Sequence, residues 1–214
     1  MNQFHLYNIE ILKQYRLILN RYGREDLSYP LLVSPTLLNK DGKILYVGQE
    51  TNTWGKEYED PEIVEKLESL YERFLRNGAT NRPFWKFLKP LLTSELHEQV
   101  IWSNLLLCGK KETLGTPELP QELITLSIDY LYHLYKESNP SLVLIASSSR
   151  TPYNAIVEEF LQKIDIFHLD RPTAQQPYTV DKDEKVLWTY HPKYLYMSKN
   201  CAKVQEACKT IILK

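Results

Sequence analysis

The chain has 214 residues, a formal net charge of −1, 43% hydrophobic and 25% charged residues. These values favour one globular domain over residues 1–214, with residues 1–40 as a helical or extended lead-in. The balanced charge excludes binding to nucleic acid by overall electrostatic attraction alone. Three cysteines without CxxC spacing argue against a metal site, the low glycine count of 7 argues against a glycine-cradled cofactor, and no apolar run is long enough to span a membrane. We expect a cytoplasmic monomer.

Hydrophobic periodicity predicts helices and strands in alternation. The predicted strands cover residues 43–48, 99–107, 141–147 and 185–192, with a short additional strand near 164–169. The predicted helices cover about residues 8–22, 120–137 and 199–213, one that starts at Asp60-Pro61 and ends at Asn77-Gly78, and one that starts at Thr151-Pro152.

The main predicted strands are apolar throughout, as in "KILYVG" and "SLVLIAS". Strands of this kind are typical of a parallel sheet that is covered by helices on both faces. The sequence therefore predicts an α/β protein with a three-layer αβα architecture and a mainly parallel central sheet.

Three predicted strands end in an abrupt change to polar residues. Gln49, Glu50 and Asn52 follow the first strand, Asn104 lies near the end of the second, and His191 follows the last. Ligands of parallel sheets bind beyond the carboxyl ends of the strands. We therefore expect a carboxylate, an amide and an imidazole to share one pocket.

Each of these residues also has an ordinary structural role. An Asn at a strand end often forms a turn, a His before Pro often makes a loop hydrogen bond, and Glu50 can cap the next segment. Other catalytic motifs lack essential parts. The segment "CGKKETLGT" has no Ser or Thr after its lysine and no phosphate-loop glycine spacing. No GxSxG elbow occurs, and the run Ser147–Ser149 has no obvious base in sequence.

Three short motifs together resemble the uracil-DNA glycosylase superfamily. "VGQETNTWG" is similar to its first motif, "VIWSNLLLC" to its central strand with a base-reading Asn, and "TYHPKYL" to its second motif. Their order and strand context agree over residues 40–214. The resemblance implies a uracil-DNA glycosylase-like fold and a hydrolase that takes part in DNA base excision repair.

The same resemblance implies the catalytic roles. Glu50 would orient or deprotonate the attacking water, and His191 would stabilise the negative charge on the leaving base. Asn104 would pair with N3–H and O4 of uracil, because its amide carries both a donor and an acceptor. Gln49 and Asn52 are expected at the base as well.

Further positions would contact the flipped nucleotide and the DNA strand. Phe84 or Trp85 would stack on the base, with core packing as the alternative for each. Leu195 corresponds to a wedge that enters the base stack, and Lys193 and Lys199 would face phosphates. DNA that contains uracil or a damaged base, single- or double-stranded, is therefore the expected partner.

The chain departs from the family pattern at several positions. Glu50 replaces an Asp, Thr51-Asn52 replaces Pro-Tyr, and Lys193-Tyr194 replaces Ser-Pro. These changes leave two alternatives to a DNA glycosylase. One is a catalytically inactive protein that binds nucleobases or nucleic acid with the same fold, and the other is a hydrolase of free nucleosides.

Overall fold

The computed structural model describes residues 2–38, 43–55, 63–77 and 82–213. Its strands are β1 (Ile44–Gly48), β2 (Val100–Asn104), β3 (Leu142–Ala146), β4 (Tyr178–Val180) and β5 (Val186–Thr189). Its helices are α1 (Gln3–Tyr22), α2 (Val64–Asn77), α3 (Pro83–Leu88), α4 (Leu96–Gln99), α5 (Gln121–Ser138), α6 (Tyr153–Lys163), α7 (Pro192–Met197) and α8 (Cys201–Ile212).

The five strands form one sheet in the order β2-β1-β3-β5-β4. Strands β2, β1, β3 and β5 run parallel, and β4 pairs antiparallel with β5. Every residue of the four parallel strands is buried. The α/β class with a mainly parallel central sheet is thus confirmed, and the arrangement is compatible with three layers.

Several predicted boundaries differ from the structure. Helix α1 begins five residues before the predicted start, because the side chain of Asn2 accepts a hydrogen bond from Phe4 N at 2.8 Å and caps the helix. The predicted strand near 164–169 is wrong, and β4 takes the place of the short additional strand. Helix α7 was not predicted. The predicted helix boundaries at Asp60-Pro61 and Gly78 lie outside the described residues.

A buried phenol hydrogen-bonds to the backbone of β2, one of the two edge strands of the sheet. Tyr71 of α2 donates a hydrogen bond to Trp102 O at 2.9 Å and accepts one from Trp102 N at 2.8 Å. The hydroxyl thus provides hydrogen bonds to the N–H and C=O of Trp102, which lie on the open side of this edge strand. Because Trp102 lies two residues before Asn104, this contact fixes the part of β2 that carries the amide.

The carboxyl ends of the four parallel strands lie along one edge of the sheet. The register pairs Gly48 with Asn104 and Ala146 with Thr189. The segments that follow these strands are therefore neighbours although they are far apart in the sequence. None of the helices in the described ranges is long and apolar enough to cross a bilayer.

Candidate functional site

The predicted amide lies at the end of β2, directly beside the end of β1. Asn104 is buried, and its Nδ2 donates a hydrogen bond to Thr51 Oγ1 at 2.5 Å. Its Oδ1 lies over the backbone of Gly48: a Cβ atom at position 48 would be 2.6 Å from this oxygen and 3.0 Å from the Phe84 ring. The absence of a side chain at Gly48 is therefore what lets the amide and the ring approach the strand end.

Phe84 of α3 lies close both to Gly48, where the Asn104 amide packs, and to the His191 ring. Its ring stacks on Tyr46 with centroids 4.2 Å apart and lies 5.8 Å from the His191 ring at an interplanar angle of 24°. Phe84 is partly buried, so it is an aromatic surface that borders both polar groups.

Trp85 does not share this position. Its side chain is only 5% exposed. The indole packs edge-on against Trp102 with centroids 5.0 Å apart, and it is tilted against Phe74 with centroids 5.4 Å apart. The expectation that Trp85 stacks on a base is corrected, because the indole belongs to the aromatic core beneath the site. Of the two neighbouring aromatic residues, Phe84 alone borders His191.

His191 follows β5 and forms the N-cap of α7. Its Nδ1 accepts a hydrogen bond from Lys193 N at 3.2 Å, so the neutral ring carries its proton on Nε2. Burial lowers the pKa of His191, and the positive charge of Lys193 lowers it further. The ring is thus prepared to act as a neutral donor through Nε2–H.

Glu50 follows β1 and turns toward the start of α6. The phenol of Tyr153 donates a hydrogen bond to Glu50 Oε2, and Thr116 Oγ1 lies 2.6 Å from the same phenol oxygen. Burial raises the pKa of the Glu50 carboxyl, whereas the bond from Tyr153 and the charge of Lys110 oppose this rise. A carboxylate with a raised pKa is a stronger base than an exposed one.

Two distant segments hold the loop that carries Glu50. Asn52 Oδ1 accepts a hydrogen bond from Lys110 N at 2.7 Å, and Thr51 O accepts one from Ser28 Oγ at 3.2 Å. Ser28 Oγ in turn accepts a bond from Gly109 N at 3.1 Å. The loop is therefore preorganised by contacts with residues 28 and 109–110.

Asn52 and Gln49, the two other residues of this loop that were expected to contact a nucleobase, make backbone contacts in the structure. The Asn52 side-chain oxygen is used to bind Lys110 N, which makes Asn52 a loop-closing residue. Gln49 is partly buried, and its backbone oxygen accepts a hydrogen bond from Leu106 N at 3.0 Å. The segment "CGKKETLGT" thus has a structural role at the site, since it supplies Lys110 and Thr116.

Helix α7 presents a different surface from the one expected. Lys193 and Lys199 are exposed, as a phosphate contact requires. Leu195 has 0% exposure and packs in the core, so its expected role as a wedge is corrected. The large apolar side chains that the helix exposes are Tyr194, Tyr196 and Met197.

The sequence reasoning missed three side chains of the site: Thr51, Thr116 and Tyr153. Thr51 accepts a hydrogen bond from the amide of Asn104. Tyr153 donates a hydrogen bond to Glu50, and Thr116 is hydrogen-bonded to Tyr153. One signal was present, because Tyr153 follows the carboxyl end of β3 and the rule applied to the other three strands covers it too. From the sequence, Tyr153 is simply one of the residues of the helix predicted to start at Thr151-Pro152.

Within the described ranges, no group of three or more His, Cys, Asp or Glu side chains is placed to hold a metal ion. A scan against protein-family models finds no match to this chain. A search of curated proteins likewise finds no matching relative.

Proposed function

We propose that the protein is a DNA glycosylase-like hydrolase that cleaves the N-glycosidic bond of uracil or a related deaminated base. The observation that carries this proposal is the arrangement at the sheet edge. The Asn104 amide and the Phe84 ring both lie against Gly48, Phe84 in turn lies 5.8 Å from the His191 ring, and Glu50 follows Gly48 in the adjoining loop. These are the groups needed to read a base, to accept the charge of the leaving base and to activate water.

Base recognition falls to Asn104. One hydrogen of its Nδ2 is given to Thr51, which orients the amide, and the second remains for a ligand oxygen such as O4 of uracil. Its Oδ1 accepts N3–H. Cytosine presents the reverse pattern at this edge and would leave a buried donor and acceptor unpaired, which costs about 1–3 kcal/mol for each group.

His191 acts on the leaving base. When the C1′–N1 bond breaks, its electron pair leaves with the base, and the negative charge is held chiefly on O2. A neutral Nε2–H donates to this oxygen without first losing a proton. One preorganised donor of this kind contributes roughly 3 kcal/mol to the stability of the transition state.

Glu50 acts on the sugar side. As a carboxylate it accepts a proton from the attacking water, whose oxygen forms the new bond to C1′, and it offsets the positive charge that grows on the sugar. The base anion then takes up a proton from solvent. The raised pKa of Glu50 is consistent with a group that gains a proton during the reaction.

The exposed lysines favour a polymeric substrate. Lys193 at the start of α7 and Lys199 just after its end lie close in sequence to His191. Ammonium groups at such positions bind phosphates on either side of an extruded nucleotide.

A second candidate is a base-binding protein without catalytic activity. The buried Leu195 and the commitment of Asn52 to Lys110 favour it, because both side chains are withdrawn from the contacts that an active enzyme of this kind would use. It predicts binding that depends on Asn104 and no bond cleavage.

The proposal is tested with purified protein and labelled oligonucleotides that contain uracil, hypoxanthine, xanthine or a mismatch, single- and double-stranded. We expect abasic sites at one of these bases, detected as strand breaks after alkali. Asn104→Ala should abolish base selectivity, and His191→Gln should slow release by roughly 100- to 1000-fold.

His168→Gln is the matched control for His191→Gln. His168 is exposed, and it lies in the segment between α6 and β4 rather than next to His191 in the sequence. Binding of the same oligonucleotides without abasic sites, at a large excess of protein, would select the inactive binding protein. Release from free nucleosides alone would select a nucleoside hydrolase instead.

A further inference from the structure

A chain of three hydrogen-bonding groups runs from the protein surface to the catalytic carboxylate. Thr116 is exposed, Tyr153 is 5% exposed, and Glu50 is partly buried. The phenol oxygen of Tyr153 lies 2.6 Å from Thr116 Oγ1, and the phenol hydrogen is directed at Glu50 Oε2. These residues come from three separate parts of the chain, so the fold itself brings them together.

We infer that Tyr153, supported by Thr116, is a positioning residue that fixes the orientation of the Glu50 carboxylate. The consequence for catalysis rests on the function proposed above, whereas the interaction itself does not. Tyr153 acts through Glu50 and has no role in reading the base.

The hydrogen positions follow from the number of donors. A phenol carries one hydrogen, and here it is given to the carboxylate, so the Thr116 hydroxyl must donate to the phenol oxygen. Each group in the chain is then satisfied. Because the bond to Glu50 is charge-assisted, it is the strongest contact of the chain.

The same bond leaves one carboxylate oxygen for catalysis. Tyr153 binds Oε2, and no side chain among the described residues donates a hydrogen bond to Oε1. With one oxygen held, the other has a fixed direction from which to accept a proton from water. A displacement of about 1 Å at such a centre costs roughly a hundredfold in rate.

The electrostatics agree with this geometry. Two groups that face Glu50 oppose the effect of its burial: Tyr153 from α6, with the larger influence, and Lys110 from the segment after β2. Without the phenol hydrogen, burial would raise the pKa of Glu50 further. Tyr153 therefore also favours the ionised form that a base requires.

The test replaces Tyr153 by Phe, which keeps the ring and removes the hydroxyl. We expect kcat for base release to fall roughly 10- to 100-fold. KM should change little, and the acidic limb of the pH–rate profile should move to higher pH. Tyr22→Phe is the matched control, because Tyr22 donates to Glu122 in the same way on the surface, at 2.6 Å and 2.7 Å.

A second measurement does not depend on activity. The titration of Glu50 is followed by the NMR signal of its ¹³C-labelled side-chain carboxyl, assigned by its absence from Glu50→Gln. We expect a higher titration midpoint in Tyr153→Phe than in the wild type, and no change in Tyr22→Phe. An unchanged midpoint in folded Tyr153→Phe would overturn the inference, even if the wild type releases base.

If the wild type releases no base, the proposed function fails, while a raised Glu50 midpoint still supports the interaction. Thr116→Val provides a second variant that spares the core, since Thr116 is exposed. It should raise the midpoint in the same direction by a smaller amount. A midpoint equal to that of the wild type in Thr116→Val would contradict the support assigned to Thr116.

Discussion

In two Tyr–Glu pairs of this protein a phenol donates a hydrogen bond to a carboxylate, yet the pKa values of the two carboxyl groups shift in opposite directions. Tyr153 donates to Glu50 at the carboxyl edge of the sheet, and Tyr22 donates to Glu122 on the surface. The hydrogen bond from Tyr22 lowers the pKa of Glu122, whereas burial raises the pKa of Glu50 in spite of the bond from Tyr153. The carboxyl of the surface pair therefore ionises at lower pH than usual, and the carboxyl of the buried pair ionises at higher pH than usual.

The hydrogen bond from a tyrosine therefore does not by itself determine the pKa of a glutamate; the burial of the glutamate also counts. Water already solvates Glu122, whose side chain is 43% exposed and also lies 3.3 Å from Arg21 Nη1. Glu50 has lost much of that solvation, so each remaining donor has a larger effect on it. The surface pair is therefore a control for the buried one.

The largest expected difference is in activity. Glu50→Gln removes the proposed catalytic carboxylate without changing the size of the side chain, and we expect release of the nucleobase to fall roughly 100- to 10,000-fold. Glu122→Gln should release base at the wild-type rate. Single-turnover assays on the preferred oligonucleotide measure both variants, and equal rates for the two would remove Glu50 from the mechanism.

A smaller difference is expected in the energetic coupling within each pair. A double-mutant cycle with Tyr153→Phe and Glu50→Gln should give a coupling of about 1–3 kcal/mol, because the bond is charge-assisted and partly buried. The cycle with Tyr22→Phe and Glu122→Gln should give no measurable coupling, because the pair is exposed. Urea unfolding at neutral pH measures the seven proteins, the wild type being common to both cycles, and similar couplings would show that burial does not separate the pairs.

The smallest difference concerns the dependence of stability on pH. The pKa of Glu50 is raised by folding, so its contribution is present below the unfolded pKa and is lost as pH rises through the folded pKa. Glu50→Gln should therefore gain stability relative to the wild type between acidic and neutral pH. Glu122, with a lowered pKa, loses its contribution as pH falls through the folded pKa.

The two replacements should consequently have opposite signs at neutral pH, with Glu122→Gln slightly less stable than the wild type. Thermal unfolding at a series of pH values from acidic to neutral measures both. A loss of stability in Glu50→Gln that grows with pH would contradict the effect assigned to burial.

The sequence could predict those parts of the fold that local pattern determines. The apolar runs that become β1 and β3 are buried at every position, so neither their register nor their neighbours were needed to recognise them. The switch to polar residues at the ends of β1, β2 and β5 then located Glu50, Asn104 and His191. That prediction relied on one property of parallel sheets, the shared direction of the strands.

The remainder depends on contacts between distant segments. Tyr153 binds a residue 103 positions away, and its own sequence context is that of an apolar helix stripe. Leu195 lies on a six-residue helix that is too short for periodicity to show which side faces the core. The three residues of β4 become a strand only because β5 pairs with them.

Gly48 carries a consequence for how sequences with this site can vary. A single methyl group there would collide with the Asn104 oxygen and the Phe84 ring at once, and it would push the amide away from Thr51. The three positions are thus coupled: in a saturation library selected for base binding, alanine at 48 should survive only beside compensating changes at 84 or 104. Every natural homologue that has Asn at position 104 should therefore also have Gly at position 48.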